Sequence, residues 1–351
     1  MIASLVREIE LRSSSSQKEI TIISPEEMIE TIYFGGGTPS LLAGKEIHSI
    51  INAVRSHFKI SDNPEITLEA NPDDITSEKL IEWKRAGINR LSIGIQSFIE
   101  RDLKWMNRAH DAVQALNCIH LAKNAGFQNF SIDLIFGIPG LTEKEWKKNI
   151  RTVIELGVPH IACYALTVEP KTILNKMILT HKKEDIDTDA QADQYSVLMK
   201  LMRSAGYEHY EISNFAKSGF RSRHNSSYWR GEKYIGIGPS AHSYNGKMRL
   251  WNKANNAIYM KSINDDEIPF EKEHLTQSQM LNEYIMTSLR TIEGMDLDYI
   301  GADFSNQQRE RIEIIVKDEV EKEMILFEGN KIMLTDAGKL FADGIAVKLF
   351  V

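Results

Sequence analysis

The sequence predicts an α/β fold in which a parallel sheet alternates with helices. Two observations support this fold class: β-rich segments alternate with helical patterns, and glycine or polar residues stand where the β-rich segments end. The predicted strands are 31–34, 65–70, 90–95, 130–136 and 160–166, and helices are expected near 45–58, 77–86, 100–125 and 143–156. Such alternation builds either a barrel or a doubly wound sheet, and both bind ligands at the carboxyl ends of their strands.

The bulk composition is that of an ordinary globular protein. Of the 351 residues, 42% are hydrophobic and 26% are charged, and the formal net charge is −7. This acidic balance gives no electrostatic reason to expect a nucleic-acid partner. No apolar run approaches the roughly 20 residues that span a bilayer, and no signal peptide is recognisable. The two cysteines, Cys118 and Cys163, match no disulfide framework, so we expect a cytoplasmic protein.

The chain begins inside an amphipathic helical pattern. Apolar residues recur on one face and charged residues on the other, which predicts a packed face and a solvated one: Ile2, Leu5, Val6 and Ile9 against Arg7, Glu8 and Glu10. A loop is expected at 13–16. Because the helix has no N-cap signal and no preceding turn, we expect a further segment before it in the complete protein.

A glycine-rich segment follows the first predicted strand. Gly36 and Gly37 lack a Cβ, so the backbone can approach a ligand closely, and Thr38 adds a hydroxyl. The N–H groups of such a turn can receive a carboxylate, and its carbonyls can hold an ammonium group. A turn with only a packing role is the alternative, because a single glycine motif is a weak signal.

Polar residues also close further predicted strands. Glu69, Gln96 and Asp133 lie at or near three strand ends, and Ala165 lies near the end of the fifth strand. Each polar residue alone could be a cap or a turn partner. Together they predict a polar pocket for a zwitterion and a ribose, with carboxylates for an ammonium group or vicinal hydroxyls and amide groups for a carboxylate.

These segments resemble the radical S-adenosylmethionine (SAM) superfamily, in its oxygen-independent coproporphyrinogen III oxidase-like family. The resemblance covers nearly the whole chain. Its motifs occur in the family's order and approximate spacing: Gly-Gly-Gly-Thr-Pro-Ser at 35–40, Glu-Ala-Asn-Pro at 69–72, Gly-Ile-Gln-Ser-Phe at 94–98, Asn-Arg at 107–108 and Asp-Leu-Ile-Phe-Gly-Ile-Pro at 133–139. The resemblance implies an incomplete (β/α) barrel of the radical SAM type.

The resemblance also implies which residues contact SAM. It places the methionyl group at Gly36, Gly37 and Thr38, puts further SAM contacts at Glu69, Gln96, Arg108 and Asp133, and lines the adenine pocket with Ala165. For Arg108 the alternative is an exposed charge on a helix.

The chain departs from the family at its front. The family holds a [4Fe–4S] cluster through a Cys-x-x-x-Cys-x-x-Cys loop after the first strand, and this sequence has no such loop. Cys118 falls in a helical pattern and Cys163 in a strand, so both are expected in the core. We expect a truncated start that lacks a strand and the cysteine loop, on the order of 20–30 residues. As written, the chain should not perform radical chemistry.

The second half contains a histidine motif. His224, Asn225, Tyr228 and Trp229 lie in a segment without helical or strand periodicity, where an imidazole could ligate haem iron and aromatic rings could stack on a porphyrin. The His-Asn-x-x-Tyr-Trp pattern resembles the haem chaperones of the family more closely than its decarboxylating oxidase. The alternative is a loop anchored by two buried aromatics. The glycine-rich run 236–243, interpreted as a strand-end turn and containing His242, is similar to a family segment near the SAM and porphyrin site.

The C-terminal pattern predicts a small α+β, winged-helix-like domain. Helical patterns near 280–289 and 306–323 precede a hairpin at Gly329-Asn330 and a last helix near Thr335. The acidic run 317–321 argues against DNA binding, so we expect the domain to cover the mouth of the site or to dock a partner. With a polar linker at 182–193, the predicted division is a partial barrel at 1–180, an extension with the histidine motif at 181–270, and the small domain at 271–351.

The resemblance implies a protein of haem and porphyrin metabolism. Haem binding and transfer, with no catalytic residue assigned, is the preferred function, and oxidative decarboxylation of coproporphyrinogen III propionates is the alternative. An intact family member would use SAM and a [4Fe–4S] cluster to form a deoxyadenosyl radical. The expected ligand of this chain is haem or a porphyrin, and the expected partners are a haem-acceptor protein and an electron donor.

Overall fold

The computed structural model describes residues 1–14 and 22–351, which form two compact units. Unit 1 comprises Met1–Thr67, Ile81–Asn89 and Ser222–Val351, and unit 2 comprises Leu68–Leu80 and Arg90–Arg221. Of the loop predicted at 13–16, Ser13 instead ends the first helix and Ser14 is its extended C-cap. Residues 15–16 lie outside the described residues.

Strands and helices alternate along the first part of the chain. In order they are α1 (Ile2–Ser13), β1 (Ile29–Phe34), α2 (Gly44–His57), β2 (Ile60–Ala70), α3 (Ser77–Ala86), β3 (Arg90–Gln96), α4 (Glu100–Trp105), α5 (Ala112–Asn124), β4 (Phe130–Phe136), α6 (Glu143–Glu155) and β5 (His160–Ala165). All five predicted strands and the helices between them are therefore confirmed, with β2 beginning five residues earlier than the 65 expected.

The second part of the chain has shorter elements and two small sheets. In order they are α7 (Ile173–Leu179), α8 (Thr188–Ser204), β6 (Glu208–Glu211), β7 (Asn214–Ala216), α9 (Arg223–Trp229), β8 (His242–Tyr244), β9 (Met248–Asn252), α10 (Asn256–Asn264), β10 (Phe270–His274), α11 (Gln277–Leu289), β11 (Met295–Asp296), α12 (Leu297–Asp303), α13 (Asn306–Glu321), β12 (Ile325–Glu328), β13 (Lys331–Leu334), α14 (Asp336–Lys339) and α15 (Ala342–Leu349). The sheets have the orders β10-β9-β8 and β11-β13-β12.

The main sheet has seven strands in the order β1-β2-β3-β4-β5-β7-β6. The pairs β3–β4 and β4–β5 are parallel, whereas β7 pairs antiparallel with both β5 and β6. Parallel strands joined by helices, with an antiparallel hairpin at one edge, confirm the predicted α/β class and the incomplete barrel. The carboxyl ends of β3, β4 and β5 meet at one edge, where ligands of such folds bind.

The linker predicted at 182–193 is shorter in the structure. Residues 182–187 lie outside helices and strands, and α8 begins at Thr188 because the Asp187 side chain accepts the N–H of Ala190 at 2.9 Å and caps the helix. The polar residues from 188 onward belong to the exposed first turn of this helix. The sequence analysis also missed α7, whose N-cap Thr172 accepts the N–H of Asn175.

Helix α1 buries a different face from the one predicted. The buried residues are Ser4, Glu8, Ile9, Leu11 and Arg12, so Glu8 is not on a solvated face. Charged side chains are rarely buried unless they are paired. Glu8 and Arg12 form such a buried pair, in which Arg12 Nε donates to the Glu8 carboxylate at 2.8 Å. A charged pair thus attaches α1 to the core of unit 1.

The C-terminal part of unit 1 confirms the small α+β arrangement. The predicted hairpin is β12–β13, and Gly329 takes a φ of 61° at its turn. Helices α11, α12 and α13 precede it, and β11 pairs with β13. This succession of helices, a short strand and a hairpin is winged-helix-like, as the sequence predicts.

Both cysteines lie in the core, as expected. Cys118 on α5 and Cys163 on β5 are each 1% exposed. Among the helices of the described residues, none is long and apolar enough to cross a membrane.

Candidate functional site

Two of the predicted residues stand at the carboxyl ends of their strands in unit 2, and a third, Asp133, lies in the middle of its strand. Glu69 is the penultimate residue of β2, Gln96 ends β3, and Asp133 lies on β4 opposite Ala162 of β5. A register shift between Ile93 and Gln96 interrupts the pairing of β3 with β4, and Gln96 has a φ of 65°. Bulges and left-handed non-glycine residues re-aim side chains and concentrate at functional sites. Gln96 is therefore held in an orientation that a regular strand would not give.

Asp133 and Glu69 are close enough to interact electrostatically. Burial and the nearby Glu69 carboxylate raise the pKa of Asp133 to about 7, although the cations of Arg90 and Arg108 oppose this rise. A carboxyl group that titrates near neutrality can accept a hydrogen bond as an anion or donate one as an acid. Two carboxyl groups and two guanidinium groups thus form a polar cluster in unit 2.

Arg108 is not the exposed helix charge that the alternative interpretation proposed. It follows α4, and its Nη2 donates to Asn71 Oδ1 at 2.9 Å and to the carbonyl of Gly94 at 3.3 Å. Its Nε is buried and has no hydrogen-bond partner among the described residues. Such an N–H can donate to a bound ligand. Asn71, which the sequence analysis noted only as part of a motif, positions this guanidinium.

The glycine turn after β1 is exposed in unit 1. Gly36 has a φ of 78°, which a residue with a Cβ rarely adopts, and a Cβ added to Gly36 or Gly37 would meet nothing within 4 Å. The backbone is thus accessible at these two residues, and the exposed Thr38 follows them. Ala165, at the end of β5 in unit 2, is also exposed. A single SAM pocket formed by all the predicted residues stays a prediction.

The histidine motif forms a helix, so the prediction of an irregular segment is wrong. Helix α9 begins after the N-cap Ser222, whose hydroxyl accepts the N–H of Asn225 at 3.2 Å. The buried carboxylate of Glu65 on β2 accepts the N–H groups of Arg223 and His224 at 3.2 and 3.0 Å. A helix this short depends on such contacts, which sequence periodicity cannot reveal. The alternative prediction, a loop anchored by two buried aromatic side chains, is also wrong, because the segment is helical and Tyr228 is 39% exposed.

The His224 side chain is tightly held within unit 1. Its Nδ1 lies 2.8 Å from Thr31 Oγ1, and its ring stacks on Tyr33 with a centroid distance of 4.7 Å and an interplanar angle of 16°. Tyr228 meets the same imidazole edge-to-face at 5.1 Å. A partly exposed imidazole between two aromatic rings therefore has a fixed orientation. Sequence analysis missed Thr31 and Tyr33, although their alternation on β1 places both on one face.

Trp229 and His242 have different surroundings. The Trp229 Nε1 is buried without a hydrogen-bond partner among the described residues, and the Arg290 guanidinium lies 5.3 Å above the ring. His242 is exposed on β8, where its ring stacks on Trp251 at 6.1 Å. The run 236–243 leads into β8 and does not follow a strand, so its interpretation as a strand-end turn is wrong.

The residues present do not fit a [4Fe–4S] cluster. Such a cluster needs thiolates. Burial raises the pKa of Cys118 to about 12 and also raises that of Cys163, so both stay protonated. Within 1–14 and 22–351, no group of three His, Cys, Asp or Glu side chains could hold a metal ion. The described residues therefore supply no ligand set for such a cluster.

Anaerobic reconstitution of the 351-residue chain with iron and sulfide should leave no stoichiometric [4Fe–4S] absorption, because neither buried thiol can become a ligand. The measurement is the visible spectrum after desalting, with iron and sulfide assays. A stable cluster signal that disappears in Cys118→Ala or Cys163→Ala would contradict the core assignment.

The pKa of Asp133 gives a stability prediction. The folded pKa of about 7 lies above the ordinary value of 3.8, so the folded protein retains a proton that the unfolded chain releases between these values. Stability should therefore fall as pH rises from about 4 to 7. Since the carboxyl is only partly buried, Asp133→Asn should be more stable than the parent at pH 8 by on the order of 1 kcal/mol.

Urea unfolding at pH 5 and pH 8 measures this difference. The control is Asp62→Asn, at an exposed position on β2. Equal pH dependence in the parent and Asp133→Asn would show that Asp133 does not retain the proton.

The fold is that of a radical SAM protein. The family model "Radical SAM superfamily" matches residues 11–153. Within that superfamily, the chain belongs to the family of the heme chaperone HemW. "Heme chaperone HemW" of Bacillus subtilis (strain 168) is 33% identical over 319 residues, which cover 90% of this chain and 84% of that protein. "Heme chaperone HemW" of Escherichia coli (strain K12) is 39% identical over 216 residues, which cover 61% of this chain and 56% of that protein.

A solved structure supports the fold over nearly the whole chain. The structure described as "Coproporphyrinogen III oxidase (HemN) from Escherichia coli is a Radical SAM enzyme" matches with a TM-score of 0.80 and covers 99% of this chain and 82% of that one. At 19% sequence identity, this similarity establishes the fold and carries no activity over.

Proposed function

We propose that this protein binds haem through His224 and transfers it to an acceptor protein. The observation that supports the proposal most is the fixed imidazole of His224, which stacks on Tyr33 and is bonded at Nδ1 to Thr31. Neutral imidazole is a common ligand of haem iron. The named relatives are heme chaperones, and they supply the class of function.

The surroundings of His224 suit a large flat ligand. Tyr228 presents a partly exposed ring beside the imidazole and meets Tyr234 edge-to-face at 4.7 Å. Burial raises the pKa of Tyr228 to about 12, so its hydroxyl stays protonated and the surface stays uncharged on that side. Aromatic rings gain most from contact with a flat apolar partner. An open aromatic surface also permits release, which a chaperone requires.

Haem titration of the purified chain tests the proposal. A shift of the Soret band that saturates at one haem per chain is expected, because one histidine supplies the ligand. Incubation with coproporphyrinogen III, followed by mass spectrometry, should leave the propionates intact. Absence of a saturable Soret shift would defeat haem binding, and loss of carboxyl groups from the porphyrinogen would favour the oxidase instead.

We also propose that SAM binds at the strand ends of unit 2. SAM, when bound, supplies a methionyl zwitterion, a sulfonium and a ribose with vicinal hydroxyls. Glu69 and Asp133 would accept hydrogen bonds from an ammonium group or hydroxyls, Gln96 would bond to polar groups, and Arg108 would donate to a carboxylate or ring nitrogen. Ala165 would line the adenine. In unit 1, the exposed turn at Gly36, Gly37 and Thr38 separately offers backbone N–H groups to a carboxylate. Equilibrium dialysis with radiolabelled SAM measures this binding, which should be weak without a cluster to chelate the methionyl group.

A further inference from the structure

Two neighbouring strands hold His224 at both its side chain and its backbone. Strand β1 contacts the side chain: Thr31 Oγ1 lies 2.8 Å from Nδ1, and Tyr33 covers one face of the ring. Thr31 and Tyr33 are two residues apart and therefore lie on the same face of β1. A stacking partner and a hydrogen bond together remove the ring's rotational freedom, which a single contact would not do.

Strand β2 contacts the backbone through Glu65, which is only 4% exposed. One carboxylate oxygen accepts the N–H of His224 at 3.0 Å and the other accepts the N–H of Arg223 at 3.2 Å. The first N–H groups of a helix have no partner inside the helix, so this carboxylate satisfies two of them. It thereby fixes where α9 begins and how far His224 stands from β1.

We propose that Thr31 and Glu65 are positioning residues for His224 as an iron ligand, with the Thr31 hydroxyl accepting a hydrogen bond from Nδ1–H. This inference rests on the proposed haem ligation. When Nδ1–H donates to Thr31 Oγ1, the lone pair of the ring is on Nε2, which is the atom that then ligates iron. Partners of this kind orient the imidazole and tune its basicity in metal sites.

The hydroxyl of Thr31, as the acceptor at Nδ1, suits a histidine that must bind haem iron and also release it. A carboxylate at Nδ1 would give the imidazole strong anionic character and a strong bond to iron. Thr31 offers a neutral hydroxyl in place of a carboxylate, while the carboxylate of Glu65 bonds to the backbone. The bond from His224 to iron should therefore be well oriented but of ordinary strength.

The tautomer can be tested without haem. Two-bond ¹H–¹⁵N correlation spectra of the ¹⁵N-histidine-labelled protein distinguish Nδ1–H from Nε2–H, and His224→Ala identifies the His224 signals. We expect Nδ1–H in the parent and in Thr31→Ser, which keeps the hydroxyl. Thr31→Val keeps the branched shape but removes the acceptor, so its His224 should shift toward Nε2–H. A parent protein with Nε2–H would overturn the inference.

Haem titration of the same variants completes the test. Thr31→Val should bind haem about 10–100-fold more weakly than the parent, with Thr31→Ser close to the parent. Glu65→Gln, which loses one acceptor oxygen, should weaken haem several-fold, and its circular dichroism and thermal unfolding show whether it folds. If His224→Ala binds haem like the parent, the ligand assignment of the proposed function fails. If His224→Ala loses haem but Thr31→Val changes neither tautomer nor affinity, only the positioning inference is overturned.

Discussion

Replacing His224 with alanine should lower the haem affinity of this protein by at least roughly 100-fold, since loss of a mere outer partner of a metal ligand already costs about 10–100-fold. The imidazole is the only part of the motif that we assign to iron, and its ring is stacked on Tyr33 and bonded to Thr31. Removing it leaves haem with aromatic contacts alone. The measurement is a Soret titration of the parent and His224→Ala under identical conditions.

Two further variants separate ligation from packing. Trp229→Phe keeps most of the aromatic area and should weaken haem binding only slightly. His48→Ala removes an exposed histidine from α2 and should titrate like the parent. If His224→Ala were folded but less heat-stable, with an unchanged Soret titration, His224 would be only a structural anchor for α9.

Replacing Glu8 with alanine should destabilise the protein by about 3–5 kcal/mol, because it leaves a buried cation without its partner. Glu8 is 0% exposed and accepts four hydrogen bonds, from Arg12 Nε, Asn252 Nδ2, the Tyr259 hydroxyl and the N–H of Gly238, at distances of 2.6–2.8 Å. All four of these hydrogen bonds would be lost at once, and among the described residues only Asn252 Nδ2 has a second acceptor, the carbonyl of Gly238. Urea unfolding in one buffer gives the free energy.

The matched control lies two residues away on the same helix. Glu10 forms a partly exposed ion pair with Arg7 at 2.7 Å, so Glu10→Gln should cost no more than about 1 kcal/mol. A Glu8→Leu, Arg12→Leu double variant should recover part of the loss, because it removes both buried charges. A Glu8→Ala protein as stable as Glu10→Gln would show that the buried pair contributes little.

The strands of the main sheet could be predicted because their signals are local. Runs such as 130–136 are largely buried and rich in β-branched and aromatic residues, and glycine or proline ends them. The burial of Glu8 could not be predicted, because its partners Asn252 and Tyr259 lie 244 and 251 residues further along the chain. A charged residue on a helix is ordinarily exposed to solvent, and only contacts formed in the folded protein bury Glu8.

The positions of the candidate site residues on their strands were predictable to a similar extent. The residues at strand ends follow from the rule that parallel strands bring their carboxyl ends to one edge, and the family motifs narrowed the choice among them. Helix α9 escaped prediction because Glu65, which starts it, belongs to a strand far away in sequence. Thr31 and Tyr33 gave only a weak signal, since a polar or aromatic residue on a strand has many ordinary uses.

Strand β1 ends in the glycine turn and also carries the two side chains that hold His224. Tyr33 and Gly36 are three residues apart, or about 10 Å along an extended chain. A molecule bound to the turn and a porphyrin bound at His224 would therefore act on the same short, stiff piece of backbone. Thermodynamic linkage then requires reciprocity: whatever factor the molecule at the turn applies to the affinity for haem, haem must apply to the affinity for that molecule. Measuring either factor gives the other, and a factor of one would mean that binding at the turn and binding at His224 are independent.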